Sequence, residues 1–107
     1  MAFTIKKGDT SPSIQSILKD SAGVPINITG ATVKFHMKPI GSSTLKVDQV
    51  MTIVDATGGI VRYSWEDSDT DTVGTYYAEF EVTRADNSTE TFPNNSNAVI
   101  VITKSLG

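Results

Sequence analysis

The chain has 107 residues, of which nine are basic and twelve acidic, and it contains no cysteine. This length fits one domain with one core, and the lack of cysteine excludes disulfides, thiolate metal sites and thiol nucleophiles. A net charge of -3 argues against nucleic acid as a partner, and apolar runs far shorter than the roughly 20 residues that span a bilayer argue against a membrane.

The first part of the chain predicts two short strands. Phe3 and Ile5 alternate with polar neighbours until the turn-forming run GDTSP. Ile14, Ser16 and Leu18 fit the inward side of a second strand, which ends at the turn DSAG.

The clearest alternation in the sequence runs from Ala31 to Lys38. Residues two apart on a strand face the same way, so the apolar residues of this run should point into the core: Ala31, Val33, Phe35 and Met37. His36, the only histidine of the chain, falls on the outward side between two lysines. We therefore expect it to be a solvated surface residue and not a ligand or a base.

The next run, Leu45 to Val54, predicts one strand with an irregularity. Its alternation slips between Val47 and Val50, which indicates a β-bulge or a twisted edge. The turn residues DATGG that follow predict a hairpin.

Two strands flank an acidic turn between Gly59 and Val82. Val61, Tyr63 and Trp65 share one side of the first strand, and Tyr76 and Phe80 share one side of the second. A tyrosine just after a glycine at the start of a strand resembles the corner of immunoglobulin-like sandwiches, in which its hydroxyl bonds nearby backbone and its ring fills the core. The residues expected to form this corner and the core beside it are Phe35, Trp65, Asp71, Gly74, Tyr76 and Phe80.

The remainder of the chain predicts a turn at ADNS, a short strand TETFP, a turn from Asn94 to Asn97 and a last strand AVIVIT. Short strands at 8–12-residue spacing with Gly, Pro, Asn and Asp between them are typical of an all-β sandwich. The prediction is an immunoglobulin-like antiparallel β-sandwich of seven or eight strands that forms one domain over residues 1–107.

The acidic turn could suggest calcium, because Asp67, Asp69 and Asp71 alternate there. An EF-hand loop counted from Asp67 needs Gly at its sixth position and Glu at its twelfth, and the chain has Thr72 and Ala78 instead. We therefore expect a one-turn helix capped by Asp67 or Ser68, with no metal and no cofactor.

Candidate binding residues are few. With one histidine and no cysteine, neither a Ser-His-Asp triad nor a histidine-rich zinc site is readily built, so no catalytic residue is predicted. Trp65 is expected in the core, although a tryptophan at a strand end can also anchor a partner.

The last strand is apolar on both sides, since Val99 and Val101 alternate with Ala98, Ile100 and Ile102. One sheet of a lone sandwich covers only one side. Val99 and Val101 are therefore candidates for contact with another subunit or with the N-terminal segment folding back over them.

Several blocks in order carry a family resemblance: FTIKKGDTxP, LKDSAGVPINITGATVKFHM, GGIVRYSW, DTDTVGTYYAEFEVT and TFP. They resemble the N-terminal domain of phage baseplate upper proteins and related small tail proteins, over residues 3 to 102. The resemblance implies an immunoglobulin-like sandwich that serves in virions as an attachment and assembly module, usually before a longer receptor-binding part. The sequence ends at Gly107, so a docking or decorating role is expected.

The predicted function is a non-enzymatic structural component of a phage tail, made in the bacterial host cytoplasm and located in the virion. Its predicted partners are other tail or baseplate subunits, and itself. The alternative is a stand-alone carbohydrate- or cell-surface-binding module that stacks a host-surface saccharide on exposed aromatic rings near Trp65 or Tyr77. Such a module should present a concave patch with two or more exposed rings.

Overall fold

The computed structural model describes residues 2–93 and 97–106. These residues form two packed sheets, and a short 3-10 helix lies at Asp67–Thr70. The strands are β1 Ala2–Lys6, β2 Ile14–Ile17, β3 Thr32–Pro39, β4 Val47–Val50, β5 Thr52–Asp55, β6 Ile60–Tyr63, β7 Gly74–Thr83, β8 Thr89–Phe92 and β9 Ala98–Thr103. The architecture is the predicted all-β sandwich.

The larger sheet has six strands in the order β1-β9-β7-β3-β4, and β8 also pairs with β7. β9 pairs with the first half of β7, Gly74 to Ala78, and β8 with the second half, Phe80 to Thr83. The two strands therefore lie end to end along one edge of β7.

One pair departs from the predicted antiparallel arrangement, because β1 runs parallel to β9. A parallel pair needs a long connection between its strands. Here that connection is nearly all of the domain, since Ala2 lies opposite Val99.

The smaller sheet has three antiparallel strands in the order β2-β6-β5. The predicted hairpin turn joins β5 to β6, and its last residue, Gly59, has a positive φ of 67°. A Cβ at this position would lie 2.7 Å from the Ile26 carbonyl oxygen and 2.9 Å from that of Leu18. Both are backbone atoms, so only glycine fits where the turn packs against the neighbouring chain.

The prediction of one strand from Leu45 to Val54 is wrong. The chain leaves the larger sheet after β4 and enters the smaller sheet as β5, and Met51 between them is buried and donates its N–H to the Val33 carbonyl at 2.8 Å. The slip in alternation marks this change of sheet, and the bulge lies later, between Ile53 and Asp55. The extra break explains why the described residues contain nine strands and not seven or eight.

The core between the sheets contains a cluster of aromatic rings around Phe35. This ring stacks on Tyr63 with centroids 4.9 Å apart and on Phe80 at 5.8 Å, and meets the edge of Trp65 at 5.6 Å. Phe35, Trp65, Tyr76 and Phe80 all belong to one buried cluster. The predicted inward sides of β3, β6 and β7 are therefore confirmed.

Two sequence predictions concern the rest of the chain. The turn from Asn94 to Asn97 lies mostly outside the described residues, which stop at Pro93 and resume at Asn97. No helix in the described part of the chain is long and apolar enough to cross a membrane.

Candidate functional site

The acidic turn is built around a buried carboxylate. Asp69 is 6% exposed, and its Oδ2 accepts a hydrogen bond from the Tyr63 hydroxyl at 2.5 Å and one from the Glu66 N–H at 2.9 Å. Glu66 is therefore the residue that caps the helix, and the predicted caps, Asp67 and Ser68, are wrong. Burial and the bond to Asp69 both raise the pKa of the Tyr63 hydroxyl, so tyrosine remains the donor.

Asp71 serves a different contact. Its Oδ1 accepts hydrogen bonds from the Lys46 ammonium at 2.6 Å and from the Thr72 hydroxyl at 2.8 Å, and these bonds lower the pKa of the carboxyl. The Asp69 carboxylate is thus buried, whereas the Asp71 carboxylate pairs with Lys46 of the β3–β4 loop. Within residues 2–93 and 97–106, no three His, Cys, Asp or Glu side chains are grouped to hold a metal ion.

Calcium is a direct test of this arrangement. Because Asp69 and Asp71 are committed to Tyr63 and Lys46, we expect no preformed cation site and no stabilisation through binding to the native state. Melting curves in chelator and in millimolar calcium should superimpose. A rise in melting temperature with calcium that disappears in Asp71→Ala would instead identify the turn as a cation site.

The corner tyrosine lies just after this turn. The Tyr76 hydroxyl donates to the Thr72 carbonyl at 2.6 Å, and the residue is 2% exposed. Trp65 is also buried, at 4% exposed, and its Nε1–H has no acceptor among the residues that the structure describes. Both residues thus fill the core, and Trp65 offers no surface on which a partner could stack.

Val99 and Val101 lie on the outer face of the larger sheet, the surface that points away from the smaller sheet. They are half-buried, while the alternating residues Ala98, Ile100 and Ile102 are at most 1% exposed. The N-terminal strand lies beside them in the sheet and not over them. Their neighbours across the sheet are Ala2, Thr4, Thr75 and Tyr77.

The adjacent row of the outer face is charged. His36 lies opposite Asp48 on one side and Glu79 on the other, with its Nε2 3.1 Å from Asp48 Oδ1 and its Nδ1 4.0 Å from Glu79 Oε1. Lys34 also contacts Asp48, at 2.9 Å, and this bond lowers the pKa of the Asp48 carboxyl. The His36 side chain is only 15% exposed, so the prediction of a solvated histidine is wrong: the flanking strands cover it.

A groove crosses the outer face beside these rows. It has a volume of about 260 Å³, and we refer to it as the outer groove. Its lining residues are His36, Lys38, Ser43, Leu45, Tyr77, Ala78, Glu79 and Asn97. Tyr77 is 38% exposed and Leu45 42%, so the groove combines several polar side chains with one accessible aromatic ring, and not with the two or more expected of a stand-alone saccharide module.

Sequence reasoning missed the outer groove. Alternation identified the outward side of β3 and of β7 correctly, but it contains no information on which strands are neighbours. The groove forms because β7 lies between β3 and β9, which brings the β3–β4 loop and Asn97 to the same surface. The one available signal was Tyr77, an aromatic residue on a side that is otherwise polar.

Comparisons with known proteins give one family and several similar solved structures. The family model of the BppU N-terminal domain matches residues 3–104. The N-terminal domain of phage TP901-1 ORF48 superimposes with a TM-score of 0.68 at 16% identity, covering 97% of this chain and 86% of that chain. CopC from Methylosinus trichosporium OB3b superimposes with a TM-score of 0.55 at 8% identity, covering 99% and 87%. No curated protein matches the sequence.

Proposed function

Since the chain belongs to the family of phage baseplate upper protein N-terminal domains, we propose that it is a docking module that joins neighbouring subunits of the tail. It belongs to a structural component of the phage baseplate, and that component associates with other tail proteins. We further propose that the module docks onto other subunits, that it associates with itself, and that it is made in the host cytoplasm.

The observation that carries the docking role is an apolar patch on a sheet face over which none of the described strands forms a second layer. We define this valine patch as Leu45, Tyr77, Val99 and Val101. Val99 and Tyr77 are direct cross-strand neighbours, and Tyr77 and Leu45 line the same groove. Contiguous apolar surface on a soluble domain is typical of a site that another protein covers, and aromatic residues are enriched at the centres of such sites.

The proposal requires no catalysis. The only histidine of the chain, His36, lies between two carboxylates and is largely covered. The other buried polar group of note, Asp69, is engaged by Tyr63 and the backbone. Neither group is paired with a nucleophile in the way that acyl-transfer or hydrolytic sites require, which supports a binding role over an enzymatic one.

Charging the valine patch should abolish self-association. We expect the wild type to form a defined oligomer in light scattering, and Val99→Lys with Val101→Lys to give a folded monomer, because two ammonium groups would have to be desolvated in the interface. Circular dichroism checks that the variant folds. The matched control adds the same charge elsewhere, as Val24→Lys with Val54→Lys, two residues that are exposed by 54% and 44%.

The control variant should keep the wild-type oligomer. If the wild type stays monomeric at high concentration, the proposal of self-association is wrong. Val99 and Val101 would then contact another tail subunit or only residues of their own domain. If both double variants lose the oligomer equally, net charge and not the valine patch determines association.

A further inference from the structure

The outer groove has uncommitted polar groups around one aromatic ring. Within the described part of the chain, the side chains of Lys38, Ser43, Tyr77 and Asn97 make no hydrogen bond or ion pair. Glu79 has only the 4.0 Å contact with His36. The groove therefore has donors and acceptors around the Tyr77 ring that are not bonded to other described residues.

The charges of the groove argue against an ionic ligand. An anion would meet one free ammonium, Lys38, together with the carboxylate of Glu79 on the same floor. A cation would meet Glu79 together with Lys38, and the described residues offer no group of three metal ligands. A ligand that exploits both charges must itself be neutral and rich in hydrogen-bonding groups.

The lining also argues against a purely apolar ligand. Leu45, Ala78 and the Tyr77 ring are the apolar contributors, while the remaining five lining residues are polar. Burying those five under hydrocarbon would leave their donors and acceptors without partners, which is unfavourable for each group. The ligand must therefore have one apolar side for the ring and polar edges for the rest.

We propose that the outer groove binds one pyranose ring of a neutral saccharide. The C–H side of the sugar would lie on Tyr77, and its hydroxyl groups would bond Lys38, Glu79 and Asn97. The volume of about 260 Å³ lies just below the ~300 Å³ at which small-molecule pockets begin, so it holds a single ring. The site shares Leu45 and Tyr77 with the valine patch, so a subunit docked on that patch would cover it and the undocked domain is the form that binds the sugar.

The experiment is an NMR titration of the intact chain, labelled with ¹⁵N, with four neutral methyl glycosides: glucoside, galactoside, mannoside and N-acetylglucosaminide. We expect at least one to give saturable shifts of amides around Lys38, Tyr77 and Glu79. Tyr77→Ala should weaken that binding at least tenfold because the stacking surface is lost, whereas Tyr77→Phe, which keeps the ring, should bind within about threefold of wild type.

The same titration is run on Val101→Lys, because Val101 lies opposite Thr75 and not Tyr77. This variant should dissociate the docked copies that would cover Tyr77, and it should bind the glycoside at least as well as the wild type. Failure of the docking proposal and failure of the saccharide proposal are thus distinguishable. The saccharide proposal is overturned if none of the four glycosides gives saturable shifts in the groove of either the wild type or Val101→Lys, or if Tyr77→Ala binds as well as wild type.

Discussion

Phe35→Ala is expected to lower the free energy of unfolding by about 3–5 kcal/mol, the usual cost of truncating a buried phenylalanine. Phe35 has no measurable exposure, and its ring contacts those of Tyr63, Trp65 and Phe80. The alanine leaves a cavity at the point where both sheets meet. The expected loss is a large part of the roughly 5–15 kcal/mol that stabilises a domain of this size.

Urea denaturation measures this loss, because the single tryptophan, Trp65, lies against Phe35 and reports the core directly. Val24→Ala is the matched control, since Val24 is 54% exposed and should change the free energy by less than about 0.5 kcal/mol. An unchanged midpoint for Phe35→Ala would mean that the aromatic cluster does not hold the sheets together.

Asp69→Ala is expected to lower the free energy of unfolding by about 2–6 kcal/mol, because it leaves two donors without an acceptor and each orphaned buried group costs roughly 1–3 kcal/mol. The donors are the Tyr63 hydroxyl and the Glu66 N–H, at 2.5 and 2.9 Å from Asp69 Oδ2. The loss should appear as a lower midpoint in chemical denaturation with the slope unchanged.

The neighbouring Asp67→Ala provides the control, since Asp67 lies exposed in the same turn and its removal should be nearly neutral. Tyr63→Phe removes one of the two bonds to Asp69. Combined with Asp69→Ala in a double-mutant cycle, it should show a coupling of about 0.5–3 kcal/mol. Equal effects of Asp67→Ala and Asp69→Ala would contradict the role given to the buried carboxylate.

The inward residues of the regular strands could be predicted from sequence. Alternation depends only on the local geometry of a strand, so Val33, Phe35 and Met37 were assigned correctly. The tyrosine corner was also accessible, because its contact from Tyr76 to Thr72 spans only four residues.

What alternation does not specify is which strands are neighbours. The slip near Val50 predicts a bulge or a twisted edge, because a change of sheet disturbs the alternation in the same way as these irregularities do. The covered state of His36 depends on Asp48 and Glu79, which the fold brings from two other strands. The outer groove has the same origin, and a single sequence holds no record of these pairings.

The parallel pairing of β1 with β9 has a consequence for how the domain is made. The first strand leaves the ribosome long before its partner exists, since Phe3 pairs with Ile100. Until β9 is made, β1 lacks this partner, and their contact closes a loop that contains most of the described residues. The larger sheet can therefore be completed only after β9 has been synthesised, and this closing contact is one of high sequence separation.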